Sequence, residues 1–325
     1  MDAKRLDRWY KDHLSGFREA EQSGEIGKDD LMVRRDGEEQ RIRVPIKKPE
    51  NMGAYMAIDE KTIDGVCYTI LSNRETSKIA LMAATLRTSE LHRCLETIPV
   101  QMKMGVKSIT RDMAPNYDWP AGTAFMNAYH VADKFHVLRE IPEQLQSVRI
   151  RHRQELLTLE RKRGKTEEKQ PLTEKLSNEE TRKQLLHRSR GLLFKHRDEW
   201  TKDQAERAGI LFRLYPEIKQ AYAYCEKIRK WYRPIGPHYS DRKQKKKETD
   251  LQLLVRNGVE SKVEEVKNIA HFLSANATPI LHYFYRRESN AKAEALNQNL
   301  RRFINVNYGS RNSDFFLYRI SIHFS

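Results

Sequence analysis

The sequence predicts an α/β protein, a mixed sheet with flanking helices that is interrupted by a large, mostly α-helical insertion. Three observations carry this prediction. Short apolar and β-branched runs separated by turn residues fill 53–136, as consecutive strands do. From Arg139 to Asp250, Glu, Gln, Lys, Arg and Leu dominate and glycine is scarce, a helical composition. A strongly helical stretch follows near the C-terminus, over Ser289–Asn305.

In chain order, residues 1–52 read as a charged N-terminal arm that holds Asp29-Asp30, Arg34-Arg35-Asp36 and Glu38-Glu39. Ala54–Asp59 makes a first strand, Gly65–Leu71 a second and Ile79–Thr85 a third, with hairpin signals at Asp64-Gly65 and Ser72-Asn73. Leu91, Leu95 and Ile98 have helical spacing over Ser89–Ile98. Val106–Thr110 and Thr123–Tyr129 read as fourth and fifth strands. Three strands in succession, a crossover helix and further strands describe a sheet of mixed direction. In the basic segment Leu192, Leu193, Trp200, Ile210, Leu211, Leu214, Tyr215, Ile218, Tyr222 and Ile228 recur at three- and four-residue steps, an amphipathic period. Two charged loops are expected there, Arg161–Gln170 and Asp241–Asp250. The second is either a solvated loop or one that lies along phosphates.

The charge is unevenly spread. The 325 residues hold 60 Lys and Arg against 45 Asp and Glu, a net of +15, and +11 of it falls within Arg139–Asp250, where 29 basic residues face 18 acidic ones. A basic block of that size points to a polyanionic partner. No apolar run approaches the roughly 20 residues of a membrane span, and the first eight residues hold no apolar signal core. A cytoplasmic protein is therefore expected. Cys67, Cys94 and Cys225 are too few and too widely spaced for a disulfide framework or a CxxC zinc site, and the histidines form no HExxH or HxH pattern.

Three acids stand out. Asp59 closes the first strand and Asp112 follows the fourth, so both carboxylates reach one end of the sheet if those strands are neighbours. Glu60 is the rival to Asp59, because neighbouring strand residues point to opposite faces. Glu294 lies on the C-terminal helix, where Asn290, Glu294, Asn297 and Arg301 share a face beside an apolar stripe of Ala293, Leu296, Leu300 and Phe303. Hard oxygen ligands of this kind suit Mg²⁺ or Mn²⁺. Two such ions, roughly 3.5–4 Å apart, serve phosphoryl transfer.

These stretches resemble the DDE transposases of bacterial insertion sequences, in particular the ISL-three family. Met56-Ala57-Ile58-Asp59-Glu60 is similar to that family's first acidic motif, and Ser108-Ile109-Thr110-Arg111-Asp112-Met113 to its second. Asp133-Lys134-Phe135-His136-Val137 resembles its most specific signature, and Asn290–Asn297 the motif of the third acid. Tyr308-Gly309 and Phe315–Arg319 resemble its closing segment.

The resemblance implies a ribonuclease-H-like catalytic fold. Its first part spans 53–140, a basic helical insertion 141–285, and a C-terminal part with the Glu-bearing helix 286–325. It implies metal-dependent DNA cleavage at element ends and strand transfer into target DNA, with Asp59, Asp112 and Glu294 as catalytic metal ligands. Clustered carboxylates should have raised pKa values that fall when metal binds. Asp133 and His136 are implied as active-site support or a phosphate contact, and Asp133 as a helix cap is the other use. Asn297 and Arg301 are candidate DNA contacts. Trp200 and Tyr215 read as core, with stacking on an unpaired base as the alternative. Family members carry a DNA-binding region ahead of the first acidic strand that has no counterpart here. A separate DNA-binding subunit is therefore expected, as is at least a dimer on DNA. The same acids would serve a nuclease or resolvase that cuts without joining. An inactive DNA-binding remnant is the third reading.

Overall fold

The structure is a computed structural model that describes residues 3–163, 175–233, 240–286, 291–306 and 312–325; of residues 3, 4, 7, 163, 285, 286 and 291–294 it describes the backbone alone. The chain forms two compact units, one of 1–133 with 286–325 and one of Lys134–Tyr285.

The first unit begins with α1 (Ala3–His13), α2 (Phe17–Gln22), the hairpin β1 (Leu31–Arg35) and β2 (Glu38–Ile42), and β3 (Ile46–Lys47). These residues are folded onto the unit. Phe17 is fully buried and packs edge-on against Phe315 and Tyr318. Arg35 grips the buried Glu90 through two 2.6 Å hydrogen bonds, which ties the hairpin down.

Then follow β4 (Tyr55–Ile63), β5 (Val66–Asn73), β6 (Ile79–Ala83), α3 (Thr88–Glu96), α4 (Val100–Met104), β7 (Ser108–Arg111), α5 (Asp118–Ala124) and β8 (Tyr129–Ala132). The sheet order is β3-β6-β5-β4-β7-β8. Neighbours from β3 to β4 run antiparallel, while β4, β7 and β8 run parallel. The mixed sheet with flanking helices is as expected, with three corrections of detail.

The first strand does not end at Asp59. Asp64 and Gly65 both adopt positive φ (49° and 80°), the two-residue turn that matches strand twist, and pairing with β5 carries β4 on to Ile63. The second turn also falls later than Ser72-Asn73. Both residues belong to β5, and Asn73 Oδ1 accepts the Glu75 and Thr76 amides to start the turn. The fifth strand is Tyr129–Ala132 rather than Thr123–Tyr129. Asp118 begins a helix that runs to Ala124, and the apolar run after it is a turn with Phe125 buried and Met126 exposed.

Side-chain alternation divides the sheet between two cores. Met56, Ile58, Leu71 and Ile109 face α3 and α5 with Leu91, Leu95, Tyr117 and Phe125. Ile63, Tyr68, Ile70, Ile79 and Met82 face the returning helices α14 (Ala291–Val306) and α15 (Ser313–Phe324), through Leu296, Leu300, Phe316, Leu317 and Ile320.

The second unit holds α6 (Lys134–Arg163), α7 (Arg182–Arg188), α8 (Arg190–Phe194), α9 (Lys202–Leu214), α10 (Pro216–Trp231), α11 (Asp241–Val259) and α12 (Glu264–Ala275), with α13 (Ala277–Arg286) leading back. The expected loop over Asp241–Asp250 is instead the start of α11. Ser240 precedes it, no glycine or proline interrupts the Lys-, Glu- and Gln-rich run before Gly258, and Lys247, Leu251 and Leu254 give it a buried side. Of the other expected loop, Arg161–Gln170, Arg161–Arg163 end α6 and 164–170 lie outside the described residues. Leu192, Leu193, Ile210, Leu211, Ile218, Tyr222 and Ile228 are buried, as their periodicity predicts. The three cysteines are free thiols. Burial pushes Cys94 up to about 11 and Cys225 up to about 12, so neither is a reactive thiolate. Among the described residues no helix is long and apolar enough to cross a membrane.

Candidate active site

The parallel strands set the geometry of the acids. Ile58 of β4 pairs with Arg111 of β7, and Arg111 with Ala132 of β8. Asp59, Asp112 and Asp133 are each the next residue, so they form one row just past the last parallel pairs of three neighbouring strands. Strand spacing places successive members of such a row about 5 Å apart at the backbone. The ladder reaches this row, because the Asp133 amide donates to the Arg111 carbonyl at 3.1 Å. Asp59 and Asp112 are half-buried and Asp133 is buried.

Register separates Asp59 from Glu60. Asp59 pairs with Ile70 and lies on the α14 side, where Asn297 Nδ2 donates to its Oδ2 and the Glu60 amide to its Oδ1. Glu60 pairs with Thr69 on the opposite side and accepts a 2.7 Å hydrogen bond from Tyr117. Burial, with Glu60 adding to it, holds the Tyr117 phenol far above its ordinary range. Glu60 is thus tied into the α3–α5 side, and Asp59 faces the helix that carries Glu294.

Helix α14 docks through Leu296 and Leu300. Asn297 is therefore turned to Asp59, and Glu294 lies one turn before it on the same helix. The Glu294 side chain and all of Asn290 are outside the described residues. Tyr308-Gly309 of the closing segment is outside them too, whereas Phe315, Phe316 and Leu317 are core. Arg301 lies one turn beyond Asn297 and is exposed. Its neighbour across the interface is Lys61, two residues past Asp59 on the same side of β4 and half-buried. Burial and the Arg301 charge push the Lys61 ammonium below its usual range, and Asp59 opposes them. Lys61 escaped the motif reading, although its period-two spacing from Asp59 was visible.

Asp112 Oδ1 accepts the Met113 amide at 2.6 Å, which orients the carboxylate at the strand end. The preceding Arg111 is buried and pairs with Asp118 at 2.5 Å, anchoring this end to α5. His136 lies in the first turn of α6, in the second unit, with Arg139 Nη2 3.1 Å from its Nδ1. Trp200 and Tyr215 are half-buried. Trp200 packs against Phe212 and Tyr222 and donates to the Leu192 carbonyl at 2.8 Å, and Tyr215 packs on His152.

The donors in the row are all carboxylate oxygens, the chemistry that hard divalent cations prefer. Among the described residues no three His, Cys, Asp or Glu side chains by themselves form a group that could hold a metal, and the third acid of the motif set, Glu294, has its side chain outside them.

A family model of DDE transposases of the ISL3 (ISL-three) type, described as a transposase, matches residues 56–320, a span that runs from the strand of Asp59 into α15. No curated protein matches the chain. The ordered acids and the family match lead to one conclusion: the chain belongs to the ISL3 family of DDE transposases.

Proposed function

We propose that this chain cuts DNA at the ends of an insertion sequence and joins the freed 3′-hydroxyl to target DNA, using Asp59, Asp112 and Glu294 as its acidic triad. The observation that carries this reading is the contact of Asn297 with Asp59, which brings the motif of the third acid against the strand of the first. A ribonuclease-H-like core is supported by the order of the five strands from β4 to β8. Counted from β4, they lie third-second-first-fourth-fifth, the first three antiparallel and the last two parallel. The helical unit between β8 and α14 then stands as the insertion of that core.

In this reading Asp59 and Asp112 offer two carboxylates from adjacent strands, and Glu294 adds a third from α14. When held there, Mg²⁺ or Mn²⁺ would lower the pKa of the attacking hydroxyl and offset charge on the phosphoryl oxygens. Asn297 fixes the Asp59 carboxylate through its Oδ2, so that ligand is positioned before DNA arrives. Asp133 supports the row from the third strand. Lys61 and Arg301 form a cationic flank that favours phosphate beside the acids.

Joining distinguishes a transposase from a nuclease that uses the same acids. Supplied with precut element ends, target DNA and Mn²⁺, the protein should yield covalently joined products. Cleavage without joining would move the function to a nuclease or resolvase.

A further inference from the structure

The second unit contains a buried cation with no carboxylate beside it among the described residues. Arg149 of α6 is 7% exposed. Its Nε donates to Gln146 Oε1 at 2.6 Å and its Nη1 to the Leu186 carbonyl, near the C-terminus of α7, at 2.9 Å. Gln146 Nε2 in turn donates to the Arg190 carbonyl at 3.1 Å, which brings the start of α8 against α6. One turn along α6 lies Arg153, half-buried, whose Nε is buried with no hydrogen-bond partner among the described residues. The charges that act on Arg149 are those of Arg190 and Arg153, and together with burial they push its guanidinium below the ordinary range.

Elsewhere this unit neutralises its inner arginines. Arg207 is paired with Glu180, Arg151 with Glu265 and Arg229 with Glu226. The carbonyl end of α7 orients Arg149 and offsets part of its charge, but it cannot cancel a full positive charge with two more beside it. Three like charges gathered at a helix junction repel one another, and an anion that joins them relieves that repulsion. Arg190 is exposed and Arg153 partly so, which leaves the cluster open to solvent.

We propose that Arg153 and Arg190, whose charges act on the buried Arg149, form a phosphate clamp that grips the DNA backbone from the helical unit. The clamp rests on the transposase reading for its ligand, a phosphodiester chain, and adds a site outside the acidic triad. Guanidinium forks suit such a site, because they bind phosphate oxygens in pairs.

The test is binding of a duplex DNA by the full chain in EDTA, where nothing is cut, followed by fluorescence anisotropy over a salt series. Arg153→Gln with Arg190→Gln should flatten the slope of log K against log salt by about 1.8 for two lost contacts, so that the affinity lost between about 50 and 200 mM salt is roughly tenfold smaller than in wild type. Arg153→Lys with Arg190→Lys keeps the charge and should keep the slope. Lys219→Gln with Lys227→Gln, exposed on α10 and equal in charge change, should leave the slope near wild type. An unchanged slope in the arginine variant, or an equal loss in the lysine control, would overturn the clamp while leaving the triad untouched. Failure of the wild-type chain to bind DNA at all would overturn the clamp.

Discussion

Asp59 is fixed by three constraints: its place just past the last parallel pair, its side of the strand, and its bond to Asn297. Glu60 meets none of them. Asp59→Asn should therefore abolish cleavage, whereas Glu60→Gln keeps an acceptor for Tyr117 and should leave the rate within about threefold of wild type. Loss of activity in the Glu60 variant with Asp59→Asn still active would reverse the assignment. Asn297→Ala frees one Asp59 oxygen, and a fall of about tenfold or more in cleavage rate, with DNA affinity unchanged, is expected for a positioning residue.

A second residue-scale prediction concerns Lys247, which is 2% exposed. Its ammonium donates to the Trp231 and Arg233 carbonyls and lies over the Trp231 and Phe284 rings. Burial brings its pKa down to about 8. Above about pH 8 the folded protein has released a proton that the unfolded chain keeps up to about 10.4, so stability from this group rises with pH through that window. The Tm of wild type relative to Lys247→Met should therefore shift in favour of wild type between pH 7 and 9.5. A constant difference would contradict the account.

At the scale of elements, α11 crosses α12 at Gly258. A Cβ there would meet Tyr224 Oη at 2.3 Å and Ala270 Cβ at 2.5 Å. Gly258→Ala gains up to about 1 kcal/mol of helix propensity, but overpacking of this kind costs about 1–3 kcal/mol. A net loss of stability, read by urea unfolding, is expected, because Tyr224 is also held by its bond to the Leu254 carbonyl. Stabilisation would show that the crossing is looser than drawn.

Elements were legible from sequence where period and turn chemistry agreed. Asp64-Gly65 marked its hairpin, and the three- and four-residue spacing of the basic block marked buried helix faces. Each misread element has its own physical cause. Asp241–Asp250 is charged enough to read as a loop, yet Lys, Glu and Gln are good helix formers, and Lys247 can be buried through its carbonyl partners. Thr123–Tyr129 has an apolar run, but the helix begun at Asp118 claims its first residues and β8 pairs with β7 only from Tyr129. The acids themselves were legible as motif residues. That Asp59 and Asp112 share one end was legible only on condition that their strands are neighbours, and that condition rests on the registers Ile58 to Arg111 and Arg111 to Ala132, which no local spacing encodes.

For the whole molecule, the acids and the main positive charge are allotted to different stretches of chain. The first unit presents the carboxylate row, and the helical unit carries the basic excess with the Arg149 cluster inside it. Binding to DNA and cutting of DNA should therefore be separable by mutation. The most direct test of the central claim is cleavage of a labelled element-end duplex in Mg²⁺ or Mn²⁺ by wild type, Asp59→Asn, Asp112→Asn and Glu294→Gln. The account predicts metal-dependent product from wild type and none from any of the three variants, each of which still binds the duplex. Undiminished cleavage by any one of them would contradict the triad.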